Sequence, residues 1–133
     1  MRDSIELTIF TPEKNIKIGE VKEIIIKSED GSLAILPNHV PMIADLKPTV
    51  TKFIDVNDQK KNIFTSTGII RFIENKANII CDASEWPQDI DLKRAQDAKE
   101  RAEKRLSEKQ SSTDIARAEL ALVRAIARIK AKH

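Results

Sequence analysis

The sequence is short of the residues on which several classes of function depend. Its 133 residues include three glycines, one cysteine, one tryptophan and no tyrosine. So few glycines leave little room for a glycine-rich phosphate-binding loop. The presence of only one cysteine, Cys81, excludes a disulfide framework and fits a reducing compartment. Cys81 itself is expected to be a small residue of the protein core. The scarcity of aromatic residues argues against binding of single-stranded nucleic acid by base stacking.

Long apolar runs are missing as well. No stretch approaches the ~20 apolar residues that a helix needs to cross a bilayer. The first ten residues, MRDSIELTIF, enter a strand pattern directly, without the pattern of a signal or transit segment. The sequence therefore predicts no direct membrane insertion, and a location at a membrane would depend on other subunits.

Charge is unevenly divided along the chain. Residues 1–86 carry 11 Lys and Arg against 13 Asp and Glu, a net charge of −2. Residues 87–133 carry 12 against 8, a net charge of +4. The C-terminal part is therefore the half expected to meet a negatively charged partner or ligand.

Apolar and polar residues alternate over residues 4–83. Ile5, Leu7 and Ile9 are separated by polar residues, which is typical of a half-buried strand. More short, β-branched segments follow, divided by the turn-like sequences TPE, EDG, ND and ENK. This pattern predicts an antiparallel β-sandwich or barrel over residues 1–86, which is long enough to bury a core.

The pattern changes at Trp86-Pro87. A residue before proline is pushed out of the helical region, and beyond Pro87 neither proline nor glycine occurs. Apolar residues then recur with a 3.6-residue period in two stretches separated by QSST. Residues 87–133 are therefore predicted to form an antiparallel two-helix hairpin. The expected N-caps are Asp89 or Asp91 for the first helix and Ser112 or Thr113 for the second.

The apolar stripes of the two predicted helices are thin and half alanine. They consist of Leu92, Ala95, Ala98 or Lys99, Ala102 and Leu106, and of Ile115, Ala118, Leu122, Ile126 and Ile129. Each larger side chain contributes roughly 1.5–3 kcal/mol at best when buried, against roughly 1–2 kcal/mol of backbone entropy per ordered residue. We therefore expect a hairpin that can open.

Arginines recur in both helices at intervals of seven and then four residues. This spacing places each set on one helical face: Arg94, Arg101 and Arg105 in the first helix, and Arg117, Arg124 and Arg128 in the second. One hypothesis is that the two stripes face each other around an anion, which would turn their repulsion into charge-assisted hydrogen bonds. The alternative is a solvated face laced with ion pairs such as Asp97–Arg101 and Glu100–Lys104.

The segment GSLAILPNHVPMIADLKP, residues 31–48, resembles the epsilon subunit of F-type ATP synthases. The family's pattern is met at Gly31, Leu33, Ile35, Pro37, His39, Pro41, Ile43 and Leu46. The segments IDLKRAQDAKERAEKRL and RAELALVRAIARIK are similar to the helical part of the family, so the resemblance covers essentially the whole chain. The usual Gly-Gly before a later strand is here Thr67-Gly68.

The resemblance implies a non-catalytic subunit of the rotor's central stalk, without a catalytic or metal site of its own. In the family, the β-sandwich joins the gamma subunit to the ring of c subunits, at the cytoplasmic face of the bacterial membrane. The hairpin is a regulatory switch. Extended, it reaches the alpha/beta catalytic head and inhibits ATP hydrolysis, whereas folded it lies against the sandwich.

In some bacterial members the folded hairpin binds ATP through an Ile/Leu-Asp-x-x-Arg-Ala motif, which is intact here at residues 90–95. By this likeness, carboxylates and Ile90 would hold the nucleoside end and the arginines would hold the phosphates. The implied set is Glu85, Ile90, Asp91, Arg94, Ala95, Arg101, Arg124 and Arg128. No cofactor is required, and ATP, with or without Mg²⁺, would be a regulatory signal.

The residues implied to contact partner subunits lie in two loops. His39, in PNHVP, would face the gamma subunit or the ring, or would only form hydrogen bonds within its own loop. Ser32 stands where many relatives carry an acid that approaches the ring, and Glu29 or Asp30 would be the nearest acids to replace it.

Two other classes of function fit the residues less well. A nucleic-acid-binding module would use the basic hairpin and show a steep salt dependence; we do not expect a nucleic-acid partner. An independent enzyme would need a nucleophile–base pair or metal ligands at a suitable spacing, and the sequence contains neither pattern.

Overall fold

The computed structural model describes residues 2–28, 31–108 and 111–133. The strands in these ranges are β1 (Ile5–Phe10), β2 (Asn15–Ser28), β3 (Gly31–Ile35), β4 (Met42–Leu46), β5 (Thr49–Asp55), β6 (Lys60–Thr65), β7 (Gly68–Ile73), β8 (Lys76–Cys81) and β9 (Ser84–Glu85). A 3₁₀ turn at Pro87–Asp89 leads into the helices α1 (Leu92–Ser107) and α2 (Ser112–Lys132). The predicted fold, a β-sandwich followed by two helices, is confirmed.

The sheet closes on itself through β1. This strand pairs with β8 on one side and with β2 on the other, so the path β1–β8–β7–β4–β2 returns to its start. The long β2 makes the closure feasible, because its first half pairs with β1 and its second half with β3 and β5. The β1–β8 pair is parallel, contrary to the antiparallel expectation. Alternation along one strand reports which face is buried and carries no information about the direction of its neighbour.

The core of the sandwich is mostly aliphatic. The alternating residues Ile5, Leu7 and Ile9 are fully buried, as predicted, together with Ile70 and Phe72 of β7. Cys81 is also buried, and its Sγ donates to the backbone oxygen of Ala83 at 3.3 Å. Burial raises the pKa of the Cys81 thiol above its usual value, which fits a packing role and makes the thiolate scarce.

At Thr67-Gly68, strands β7 and β8 approach each other closely. Gly68 faces Cys81 on β8, and a Cβ atom on Gly68 would lie 2.0 Å from the backbone oxygen of Ile80. The hydroxyl of Thr67 is buried and has no hydrogen-bond partner among the described residues. Only the second residue of the family's Gly-Gly pair is therefore required here by sterics.

The helices dock on the sandwich through small side chains. Ala127 and Ala131 of α2 are buried against Phe64, Ile90 and the partly buried Val50. The other buried residues of the two helices are also alanines, namely Ala95, Ala102, Ala118 and Ala125. Alanines allow close packing but bury little apolar area, so the hairpin is held by a thin interface, as its stripes predicted.

Several details of the hairpin differ from the sequence-based expectation. Asp91 caps α1, as predicted, but Ser111 caps α2 because the helix begins one residue earlier than expected; its hydroxyl accepts from the backbone N–H of Asp114 at 3.3 Å. Ile115, assigned to the buried stripe, is 37% exposed since it lies in the first turn, beyond the packed part of α2. The Asp97–Arg101 and Glu100–Lys104 ion pairs, considered in the alternative of a solvated face, do not form between these exposed, described residues. Neither described helix is long and apolar enough to span a bilayer.

Candidate functional site

A cavity of about 240 Å³ lies where the end of the sandwich meets both helices. Its walls come from β9, from the 3₁₀ turn and its exit, from the start of α1 and from the end of α2. The lining residues are Glu85, Asp89, Asp91, Arg94, Ala95 and Arg128. Five of these six belong to the set implied by the resemblance, although they are distributed over three separate elements.

The N-terminus of α1 fixes two of these side chains. Asp91 is in extended conformation, and its Oδ1 accepts from the backbone N–H of Arg94 at 3.0 Å, so its carboxylate stays at the mouth of the helix. The neighbouring Ile90 is 3% exposed and packs with Phe64 of β6. Ile90 therefore anchors the segment to the sandwich, and the following turn presents Arg94 to the cavity.

Arg128 ties α2 to the sandwich from the opposite wall. Its Nε donates to Oε1 of Glu85 at 2.6 Å, and its guanidinium carbon lies 4.5 Å from the centre of the Phe64 ring. Both charged side chains are about one third exposed, at 29% and 32%. At such exposure the ion pair contributes up to about 1 kcal/mol, and the cation–π contact roughly 0.5–2 kcal/mol. A third link joins Lys132 Nζ to the backbone oxygen of Pro87 at 3.0 Å.

The charges in the cavity are mixed. The three carboxylates Glu85, Asp89 and Asp91 face the two guanidinium groups of Arg94 and Arg128. Arg128 is already paired with Glu85, whereas the exposed Arg94 forms no ion pair with the described residues. A phosphate group would therefore meet Arg94 directly and would compete with Glu85 for Arg128, while the carboxylates can accept hydrogen bonds from an amine.

The two remaining arginines of the implied set lie elsewhere. Arg101 is exposed and Arg124 is half-buried, and neither lines the cavity. Since the helix rises 1.5 Å per residue, Arg101 lies roughly 10 Å further along α1 than Arg94. The cavity is also smaller than the ~300–1,000 Å³ of most sites for drug-sized ligands. In this conformation the cavity is therefore smaller than a site that would enclose a whole nucleotide.

Two of the residues implied to contact partner subunits, Ser32 and His39, do not line this cavity. Ser32 is exposed on β3. The half-buried His39 has its Nδ1 2.8 Å from the backbone oxygen of Val40, and its ring packs edge-on against Phe72 at 5.8 Å. The loop-internal role considered for His39 is thus present in the structure. Glu29 and Asp30 lie outside the described residues.

Sequence reasoning missed two residues of the cavity region. Phe64, which carries Arg128 on its ring face, is 64 positions away in the sequence, and no local pattern connects the two. Asp89 was considered only as a helix cap, but it lines the cavity because the 3₁₀ turn directs it there. The position of Asp89 in the site could have been predicted, because Asp89 lies in the sequence between Glu85 and Ile90, which both belong to the implied set.

Comparison with protein families accounts for the whole described fold. Residues 4–87 match the model of the β-sandwich domain of the ATP synthase delta/epsilon chain, and residues 88–133 match the model of its long α-helix domain. The chain belongs to the ATP synthase delta/epsilon family. Family membership makes it a non-catalytic subunit of a larger complex and not an enzyme on its own.

Individual relatives agree with this family assignment. The ATP synthase epsilon chain of Clostridium botulinum (strain Okra) is 66% identical over 133 residues, which cover 100% of this chain and 99% of the relative. The epsilon chain of Clostridium kluyveri is 46% identical over 129 residues, with 97% of each chain covered. The chain is accordingly an epsilon subunit of an ATP synthase.

Solved structures with a similar fold come from two mitochondrial ATP synthases. A chain in the cryo-EM structure of the Euglena gracilis enzyme, comprising OSCP, F1 and c-ring, superposes with a TM-score of 0.86 at 21% identity, covering 100% of this chain and 84% of that one. A chain in the central stalk and c-ring structure of the Tetrahymena thermophila enzyme gives 0.67 at 17% identity, with 97% and 96% coverage. At these identities the likeness concerns the fold.

Proposed function

We propose that this epsilon subunit belongs to the central stalk of a bacterial F-type ATP synthase, peripheral to the cytoplasmic face of the membrane, and that its folded hairpin binds ATP as a regulatory signal. The observation that carries the ATP-binding part is the cavity that brings Glu85 and Asp91 together with Arg94 and Arg128. The family assignment carries the rotor part.

The chemistry of the cavity suits a nucleotide that is bound and not consumed. Guanidinium groups are permanently charged and donate in a fork geometry that matches phosphate oxygens. The carboxylates of Glu85 and Asp91 can accept from the exocyclic amine of adenine. Hydrolysis would require a residue placed to activate water, and two of the cavity's three carboxylates are instead engaged, Asp91 as a helix cap and Glu85 with Arg128.

The interface between hairpin and sandwich is suited to a two-state switch. It consists of a few small or partly buried residues, one partly exposed ion pair and one cation–π contact. A ligand that touches β9, α1 and α2 at once stabilises the folded state by mass action. Without ATP, the hairpin would extend along the gamma subunit to the alpha/beta head and inhibit hydrolysis there.

Removal of the hairpin tests this inhibitory role. In the assembled complex, a chain ending at residue 87 is expected to raise the steady-state ATP hydrolysis rate severalfold, measured at low ATP, where extension is favoured. The subunit must be present at the same stoichiometry as the full chain, which gel densitometry checks. An unchanged or lower hydrolysis rate at equal stoichiometry would contradict the inhibitory role and leave the family assignment intact.

An exposed apolar patch is the proposed contact with the gamma subunit and the c-ring. Leu36, Val40 and Ile43 are 54%, 69% and 69% exposed, and they flank His39. Large apolar side chains grouped at a surface mark interaction sites when they are contiguous. We propose that this face of the sandwich, with Ser32 and the loop of His39 nearby in sequence, joins the two partners.

A charge introduced into this patch should prevent assembly. Val40→Asp combined with Ile43→Asp is expected to reduce copurification with the gamma subunit by at least about tenfold, because a buried unpaired carboxylate is strongly unfavourable at an interface. The matched control is Val56→Asp, since Val56 is similarly apolar and 49% exposed but follows β5, outside the patch. Equal copurification of the double variant and the control would exclude this face.

A further inference from the structure

A second and larger cleft lies on the other side of α2. Its volume is about 540 Å³, within the ~300–1,000 Å³ range of small-molecule sites. One wall is α2, with Val123, Ile126 and Lys130, and the floor is the outer face of β2 and β5. It shares no lining residue with the cavity at Arg128. Since each helical residue turns by about 100°, Arg128 projects roughly 160° around α2 from Lys130.

Every charged residue that lines this cleft in the described part of the chain is a lysine. They are Lys27, Lys47, Lys52 and Lys130, and they come from four different segments. The backbone holds them in place: the N–H of Lys47 donates to the oxygen of Lys27 at 3.4 Å, and Lys52 is the cross-strand partner of Ile25. None of the four ammonium groups forms an ion pair within the described ranges.

The cleft also has an apolar surface between its lysines. Val123 is 41% exposed, and Ile126 lies three residues along the same face of α2. Opposite them, Ile25 and Val50 contribute side chains from the sheet. Positively charged groups around an apolar floor create a local positive potential that attracts anions, while the floor favours an alkyl or aromatic body.

We infer that this cleft is a binding site for an amphipathic organic anion: a phosphate, carboxylate or sulfonate head among the lysines, with an apolar body between α2 and the sheet. The charge complementarity and the volume carry this assignment. Such a ligand would bridge Lys52 on β5 and Lys130 on α2, so its binding would stabilise the hairpin on the sandwich. The inference is independent of ATP binding, because the two sites have no residue in common.

The test is a titration of the full chain with octyl phosphate below its micelle concentration, followed by amide NMR. We expect saturable shifts around the cleft and slower hydrogen exchange in α2. Inorganic phosphate, which lacks the apolar body, and octyltrimethylammonium, which reverses the charge, should each bind at least about tenfold more weakly. A separate titration with vesicles containing phosphatidylglycerol shows whether the ligand is a lipid or a soluble anion. Shifts around the cleft with vesicles indicate a lipid headgroup, and shifts with octyl phosphate alone indicate a soluble anion.

Variants locate the binding in the cleft. Lys52→Glu with Lys130→Glu should weaken octyl phosphate by at least about tenfold, and Val123→Ser should weaken it without altering the charge. Both lysines and Val123 are exposed, so folding is retained, and Lys76→Glu on β8 is the matched control. Absence of saturable shifts, or equal affinity in the double variant and the control, would overturn the inference. Neither result would affect the ATP proposal.

Discussion

Replacement of Arg128 by glutamine is expected to weaken ATP binding to the folded chain by about 10- to 150-fold, because a hydrogen bond to a charged group contributes roughly 1.5–3 kcal/mol. Arg128 is the only residue of α2 in the described part of the chain that lines the cavity. It supplies a guanidinium group to a phosphate and also ties α2 to Glu85 and Phe64. Its loss therefore removes a ligand contact and loosens the wall that carries it.

Calorimetric titration of ATP into the full chain measures this effect. Arg117→Gln is the matched control, since Arg117 belongs to the same sequence stripe and the same helix but is exposed and remote from the cavity. Thermal unfolding without ATP separates the two roles of Arg128, because the lost ion pair and cation–π contact lower stability in the absence of ligand. Equal ATP affinity in both variants would show that the cavity at Arg128 is not the nucleotide site.

Gly68→Ala is expected to lower the free energy of unfolding by about 2–3 kcal/mol or more, through overpacking. The added Cβ would lie 2.0 Å from the oxygen of Ile80, and 2.7 Å and 2.8 Å from Cα and Cβ of Cys81. All three atoms belong to β8, and the first two are backbone atoms that cannot move aside by a rotamer change. β7 would have to separate from its antiparallel partner β8.

Chemical denaturation with fluorescence of Trp86 measures this loss, since Trp86 packs against the core of the sandwich. Arg71→Ala, on the exposed face of the same strand, should change the free energy of unfolding by less than about 0.5 kcal/mol. If Gly68→Ala proved as mild as Arg71→Ala, the close approach of β7 and β8 described above would be wrong.

Local patterns predicted the cavity where the relevant residues are close in sequence. Asp91 is one of the two caps expected for the first helix, and it shares a helical turn with Arg94, whose place in the site was implied by the family resemblance. The fold class also followed, because a period of two changes to 3.6 at Trp86-Pro87. Burial of β1 was equally accessible, whereas its parallel partner β8 was not, since strand direction depends on how the sheet closes.

The arginine stripes show where helical spacing stops being informative. The spacing establishes that Arg94 and Arg101 lie on the same face of α1. It does not establish that both reach the cavity, because the helical face extends well beyond it. Arg101 is two turns further along α1, and Arg124 is one turn before Arg128 on α2, so neither reaches the lining. In the structure, only one arginine from each helix lines the cavity, Arg94 from α1 and Arg128 from α2. The acidic residues beside them come from the sandwich edge and the connecting turn.

The ion pair between Arg128 and Glu85 is expected to reduce the affinity of the cavity for ATP. In the structure, Glu85, which is implied to contact the nucleoside, is already paired with Arg128, which is implied to contact the phosphates. Binding of ATP would exchange this internal partner for the ligand, so the net gain is smaller than the sum of the new contacts.

Hydrogen exchange of the hairpin amides with and without ATP tests the central claim most directly. If the folded hairpin binds ATP, millimolar ATP should slow exchange in α1 and α2 by a factor that rises with ATP concentration, approximately as one plus the ratio of ATP concentration to its dissociation constant. Exchange in β1, far from the hairpin, should not change, and Arg94→Gln with Arg128→Gln should abolish the protection. Unchanged hairpin exchange at millimolar ATP, or equal protection in this double variant, would contradict the account.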